Sequence, residues 1–392
     1  MKIVLVLPWF GQFCVGGAEK EARYTAINLQ KLGYEVEILT TCLKNSHANW
    51  NENYYPSGDC LEDSLRVRRF EVRLADHFNF NRVLLRIRLG KELTAPEEKI
   101  FVGENIHSPG LNEYLKKNGA KYDFIIYIPY LYGTTFDGAF IRPEKSLLIP
   151  CLHDENFARL EFFKKMFSSF RKVIFHTEAE EKLASQLYGL TGSSLVVLGE
   201  GVNTEEDFEK KDFKKRHRIE GEYLLFVGRK DEGKNLPLLL NYFENYKKIF
   251  SSDLKLVLVG CGRLEVPPHL KSEIIDLDYV SEEKKEAAYA EAFLVVQPSL
   301  NESFSLVLME AWLAGVPVVV NGFCAVTKEH CLKSGGGLYF ENFWEFAEAV
   351  NWFLAEDTGR RRLAANGRRY VLENFTWPKI MAKYKNLFES LK

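Results

Sequence analysis

No stretch of this 392-residue chain approaches the ~20 consecutive apolar residues that a bilayer-spanning helix needs. An excess of either charge is equally missing. Lys and Arg number 52 against 54 Asp and Glu, a net charge of −2, so no global basic field marks nucleic acid as the partner. The seven cysteines are scattered without a CxxC pair, and Cys324 and Cys331 have no zinc-type spacing to further ligands. A reduced, cytoplasmic protein is expected. The opening stretch MKIVLVLPWFGQ is too short in its apolar part for a secretory leader, and reads better as a first β-strand. A full dinucleotide fingerprint is also wanting, because GCGRLE (260–265) lacks the third glycine.

What the chain does have is alternation. Short β-branched runs at 2–8, 34–40, 124–128, 146–150, 172–176 and 195–198 are separated by helical patterns. The series resumes at 223–227, 254–259, 273–277, 293–297 and 317–320. Continuous apolar strands of this kind are buried on both faces, as in parallel sheets covered by helices. The expectation is an α/β chain of two doubly wound Rossmann-like halves. The polar segment 199–222 is the expected seam. Residues 1–200 then make a first domain and 201–376 a second. The amphipathic tail NFTWPKIMAKYKNLFESLK is read as a helix interrupted at Pro378. Residues 65–91 depart from the alternation, with eight basic residues against two acidic ones and apolar residues interleaved. Such a patch suits an anionic membrane surface or a phosphorylated acceptor. The plainer alternative is a solvated helix whose Arg stems cover the core edge.

Three loops carry the candidate chemistry. In GQFCVGGAEKEARY, Gly16 and Gly17 precede a helix beginning near Ala18 and Glu19, where backbone N–H groups can approach a phosphate. A turn needing glycine for positive φ explains them as well. In LLFVGRKDEGKNLPLLL, Arg229 and Lys234 follow a strand end, and Asn235 is placed to cap the next helix. A planar fork and a point charge at that position suit a diphosphate. In NESFSLVLMEAWLAGVPVVV (301–320), Glu302 lies ahead of a helix running roughly from Leu306 to Leu313, and Glu310 about a turn inside it. The amides of Phe304, Ser305, Leu306 and Val307 form the helix start, an anion site. Two carboxylates flanking it suit vicinal hydroxyls, one for a sugar and one for a ribose. Dipole-favoured surface acids are the alternative. The Asp276-Leu277-Asp278 triplet matches a metal-binding DxD, but a lone DxD is a weak pattern and no metal role is assigned to it.

Taken in order, GGAE, GRKDEGKN and the E-x7-E of PSLNESFSLVLMEAW resemble the retaining GT-B-fold glycosyltransferases of family 4, over nearly the whole chain. That resemblance implies two Rossmann-like domains facing a central cleft, with 377–392 crossing back onto the first domain. It implies that Glu302 contacts donor hexose hydroxyls, Glu310 the nucleotide ribose, and Arg229 and Lys234 the diphosphate. Gly16 and Gly17 would approach the diphosphate from the other lobe. His153, in LLIPCLHDENFAR at the expected end of a first-domain strand, resembles the family histidine that reaches the donor sugar. The segment 260–265, with Tyr279 and Val280, would border the base. Ser303 and Ser305 stand where many relatives carry glycine, which adds bulk near the donor sugar. The implied activity is metal-independent, retaining transfer of a hexosyl group from a UDP- or GDP-sugar to a glycan or lipid-linked acceptor in surface polysaccharide or glycoconjugate synthesis. The donor is a substrate, and no cofactor is implied. A nucleotide-sugar epimerase of the same fold and a catalytically silent partner subunit are the competing readings.

Overall fold

The computed structural model describes residues 1–392 except 14–15, 206–207, 209–211 and 263–264. The chain divides into two compact units, Met1–Gly201 with Ile380–Lys392, and Val202–Lys379. Unit 1 is built on strands β1 (Lys2–Val6), β2 (Glu35–Thr41), β3 (Gly58–Glu62), β4 (Leu65–Phe70), β5 (Phe124–Tyr127), β6 (Ser146–Leu148), β7 (Lys172–Phe175) and β8 (Leu195–Val197). They form one sheet in the order β3-β4-β2-β1-β5-β6-β7-β8, parallel except for the β3–β4 pair. Unit 2 contains β9 (Tyr223–Val227), β10 (Lys255–Val259), β11 (Ile274–Leu277), β12 (Leu294–Gln297), β13 (Val318–Asn321) and β14 (Gly337–Phe340). Its parallel sheet runs β11-β10-β9-β12-β13-β14. The direction of winding reverses between β1 and β5 in unit 1 and between β9 and β12 in unit 2. In open sheets of this type the carboxyl ends at the reversal form the ligand crevice.

The apolar runs become strands because helices cover both sheet faces. Val4, Val6, Ile125 and Leu148 lie in one core, and Leu224, Phe226, Leu256, Leu294 and Val296 in the other. Each such side chain contributes roughly 1.5–3 kcal/mol when fully buried. The helix Leu306–Leu313 is buried along most of its length and anchored by Trp312, which is fully buried and donates its indole N–H to Gly336 O at 2.9 Å. Its ring occupies the space beside Gly367 of helix Asp357–Asn374, where a Cβ would lie 2.2 Å from Trp312 Cδ1.

Several expectations are corrected. Residues 65–91 do not form one amphipathic element, but strand β4 followed by helix His77–Arg88. Their arginines are partly spent in pairing. Arg68 bonds Asp59, the buried Arg69 bonds Glu62 and Phe10 O, and Arg86 lies 3.1 Å from Glu97. Pro378 does not interrupt the last helix. The preceding helix ends at Asn374, and a new one, Trp377–Ser390, begins with Pro378 at its second position. Proline is tolerated there because that N–H has no helical acceptor. From Ile380 this helix packs on unit 1, where Phe388 stacks on Phe124 at 4.8 Å and Lys383 Nζ donates to Leu198 O at 2.7 Å. No helix among the described residues is long and apolar enough to cross a membrane.

Candidate functional site

In unit 2 the expected donor residues come from the two loops that flank the winding reversal. The loop after β9 is organised by Asp231, whose Oδ1 accepts from Lys234 N at 3.0 Å and whose Oδ2 accepts from Arg229 Nε at 2.8 Å. Arg229 is about half exposed, its guanidinium held by this intraloop pair. Lys234 reaches across to the loop after β12, and its Nζ donates to Glu302 Oε1 at 2.7 Å. Asn235 does not cap its helix, contrary to the expectation from the sequence. It stands at the N-cap with φ +54° and no capping bond, and its Nδ2 donates instead to Pro298 O at 3.0 Å. Asn321 Nδ2, from the last residue of β13, donates to the same carbonyl at 3.1 Å. Two side-chain amides, one from a helix N-cap and one from the end of β13, therefore hold the base of the glutamate loop.

The helix after that loop begins at Leu306, as the sequence implies. Its N-cap, Ser305, has φ +75° and ψ +77°, a left-handed conformation favouring glycine. Ser305 is 6 % exposed, and its Oγ has no hydrogen-bond partner among the described residues. Phe304 turns into the core against His330 and Phe375, leaving only its backbone for a ligand, while Ser303, Leu306 and Val307 are half-buried. Glu310 sits between two partners that sequence reading missed. Lys285 Nζ lies 2.8 Å from Oε1, and Tyr289 donates its hydroxyl to Oε2 at 2.9 Å. Burial would lower the Lys285 pKa, but Glu310 and Glu282 outweigh it and hold the ammonium charged. The i,i+4 spacing of Lys285 and Tyr289 on helix Glu282–Ala290 was the available signal.

The DxD is taken up internally. Lys230, whose side chain is buried, places Nζ 2.5 Å from Asp276 Oδ1 and 3.9 Å from Asp278 Oδ1, and donates to Leu277 O. Next to it, Tyr279 is largely exposed and Val280 half-buried. Gly260 is required by packing, since a Cβ there would lie 1.9 Å from Gly228 O. Arg263 and Leu264 of the expected base-bordering segment lie outside the described residues.

Unit 1 carries Gly16, Gly17 and His153. The helix starts at Gly17, one residue before the expected position, and Gly16 is its N-cap with φ −72°, so positive φ is not why glycine stands there. A Cβ at Gly16 would lie 2.1 Å from the Glu19 carboxylate, the far end of a flexible side chain that can move aside, so packing does not demand glycine there either. Gly17 faces open space. That carboxylate also accepts from Trp9 Nε1, so an acid of the chain itself sits at this helix start. His153 is not at a strand end. β6 stops at Leu148, and His153 lies in the following loop, one-third exposed, with Nδ1 3.8 Å from Glu155 Oε1.

Residues 207–370 match the family model described as Glycosyl transferases group 1. A phosphatidyl-myo-inositol mannosyltransferase of Mycobacterium leprae is 27 % identical over 51 % of this chain and 54 % of its own. The chain spans about half the length of the curated relatives it matches. The sucrose-phosphate synthase of Thermosynechococcus elongatus superposes with a TM-score of 0.73 at 17 % identity, covering 100 % of this chain and 99 % of that one. The Anabaena HepE protein in complex with UDP gives 0.70 at 15 % identity, with 100 % of both chains covered. The fold is the GT-B fold of two Rossmann-like α/β domains.

Proposed function

We propose that this chain is a retaining, metal-independent glycosyltransferase of family 4 that moves a hexosyl group from a UDP- or GDP-sugar to a glycan or lipid-linked acceptor. One observation carries the reading. The Lys234–Glu302 bond joins the basic loop after β9 to the glutamate loop after β12 at the winding reversal of unit 2. The ammonium of Lys234 has further N–H bonds to give a diphosphate while it still orients Glu302 toward sugar hydroxyls. Arg229, released from Asp231, adds a planar fork, and the start of helix Leu306–Leu313 adds fixed dipoles. Together they stabilise the charge that grows on the leaving phosphate as its bond to C1 breaks. The acceptor oxygen bonds C1 on the same face and gives its proton to the departing phosphate. Glu302 positions and forms no covalent bond. Glu310, fixed by Lys285 and Tyr289, takes the ribose diol.

The group 1 family match and the mannosyltransferase name of the M. leprae relative support a sugar-transferring role and a lipid-linked acceptor. UDP bound to HepE supports a nucleotide donor. An acceptor held at an anionic membrane is supported by helix His77–Arg88. Its inward face buries Phe80, Val83 and Ile87, while Phe78 and Leu85, with Leu89 just beyond, stay exposed beside Arg82 and Arg88. Loss of liposome binding on Arg82→Gln with Arg88→Gln checks that part. The donor reading is tested by thermal shift with UDP-, GDP- and ADP-sugars in EDTA, on wild type and Glu310→Ala. A donor at about 100 times Kd should stabilise by roughly 2.7 kcal/mol. Stabilisation by one base, lost in the variant, supports it. No shift with any donor, with or without magnesium, moves the chain to the silent-subunit reading, and conversion of donor without acceptor to the epimerase reading.

A further inference from the structure

Beneath the loop that carries His153, unit 1 gathers a set of side chains that the transfer chemistry does not use. Glu21 comes from helix Gly17–Lys31, Cys151 from the loop after β6, and His176 from the residue after β7. Glu21 and His176 are almost fully buried. His176 Nε2 lies 2.5 Å from Glu21 Oε1, and Cys151 Sγ lies 3.4 Å from Glu21 Oε2. One ligand atom from each residue falls within 4.8 Å of the other two. We propose that Glu21, Cys151 and His176 form a structural site for a zinc-class divalent cation, bound through a carboxylate oxygen, a thiolate and an imidazole nitrogen.

The dimensions suit this ion. Metal–ligand bonds of about 2.0–2.3 Å in tetrahedral geometry set neighbouring ligand atoms roughly 3.3–3.7 Å apart. The ligand atoms, 2.5 and 3.4 Å apart in two pairs and within 4.8 Å throughout, bracket that spacing. Chemistry narrows the choice further. Thiolate and imidazole favour zinc or cobalt, whereas magnesium and calcium prefer all-oxygen shells. Thiolate and carboxylate together balance the charge of a divalent ion.

The surroundings are those of a held ligand. Glu180 Oε2 lies 3.5 Å from His176 Nδ1, on the ring edge opposite the proposed ion. Glu180 cannot drift, because its two oxygens accept backbone N–H bonds from Leu152 and His176, each at 2.7 Å. Glu180 thus stands beside the far edge of the ring, where outer-shell acids stand beside metal-bound histidines, and an ion bound at Nε2 would displace the proton now shared with Glu21. Cys151 adopts φ +52°, uncommon for a residue with a Cβ, and that turn carries Sγ to the cluster. Bound here, the ion would pin the His153 loop to the first helix and to β7 without touching a transferred group. The inference stands independently of the proposed transfer activity.

The test is metal content and cobalt spectroscopy on the full chain, purified without chelator or affinity nickel. The expected result is zinc in stoichiometric amount after zinc loading and dialysis. Cobalt substitution should give a thiolate-to-metal charge-transfer band that is absent in Cys151→Ser. Chelation should lower the melting temperature of wild type and leave that of Cys151→Ser unchanged, whereas donor binding is read separately with Glu310→Ala. Glu21→Gln, close in size, should weaken metal retention while keeping the far-ultraviolet circular dichroism of the fold. Wild type that holds neither zinc nor cobalt after loading overturns the proposal without any variant. So does equal metal retention and an unchanged cobalt band in Cys151→Ser.

Discussion

Ser305 offers a sharp test of the energetics around the glutamate loop. A side chain in the left-handed region costs about 1–2 kcal/mol relative to glycine, and Ser305 sits there at φ +75°. Its buried hydroxyl, without a hydrogen-bond partner among the described residues, adds a desolvation cost of roughly 1–3 kcal/mol. Replacement by glycine removes both but returns about 0.5–1 kcal/mol of backbone entropy to the unfolded chain. Ser305→Gly should therefore stabilise unit 2 by about 2 kcal/mol. In a domain of 150–250 residues that is a rise of roughly 4–8 °C in melting temperature. Ser305→Ala separates the two terms, since it drops the hydroxyl and keeps the Cβ. The expected order of melting temperature is Gly above Ala above Ser, followed by calorimetry or by near-ultraviolet circular dichroism. If Ser305→Gly melts at or below wild type, the loop is not strained and the argument fails.

Lys285→Met leaves the Glu310 carboxylate with Tyr289 as its remaining partner here and should weaken donor binding about tenfold, the equivalent of ~1.4 kcal/mol. Titration calorimetry with the nucleotide checks this, and unchanged affinity would remove Lys285 as a positioning residue. Gly367→Ala drives a methyl into Trp312 and should cost about 1–3 kcal/mol in chemical denaturation. Unit 1 should lose stability in acid through Glu37. Burial raises its pKa, but Lys2 and Tyr122 outweigh burial and leave it below the ordinary 4.5. Because the folded pKa is depressed, the stabilisation is complete above 4.5 and disappears as pH falls through the folded value. Glu37→Gln should flatten that part of the stability–pH curve, and an unaltered slope would contradict the assignment.

The sheets were legible where apolar runs were unbroken, and less so where chemistry disguised them. Strand β3 is largely exposed, and its hairpin to β4 turns through Asp63 and Ser64, both at positive φ, without the Asn-Gly pair that announces such turns. β4 hides because the inward position of Arg69 is charged and filled by an ion pair with Glu62. At the candidate site the catalogue of residue types was readable, but their partners were not. Asn235 looked like a cap, yet its amide is drawn to Pro298 by tertiary packing. Lys285 looked like a solvated helix charge, and only burial beside Glu310 shows otherwise. Glu21, Cys151 and His176 lie so far apart in the chain that no local spacing could announce them.

The division of the chain has a consequence for its synthesis. Val202–Lys379 forms unit 2 without a break, whereas unit 1 needs both Met1–Gly201 and Ile380–Lys392. A ribosome therefore releases every residue of unit 2 before the segment that seats Phe388 on Phe124 exists. Until then unit 1 displays an uncovered aromatic surface around Tyr34 and Phe124, although it was made first. The part translated earliest is the part completed last, and its exposed interval lengthens with every pause in translating the inserted unit.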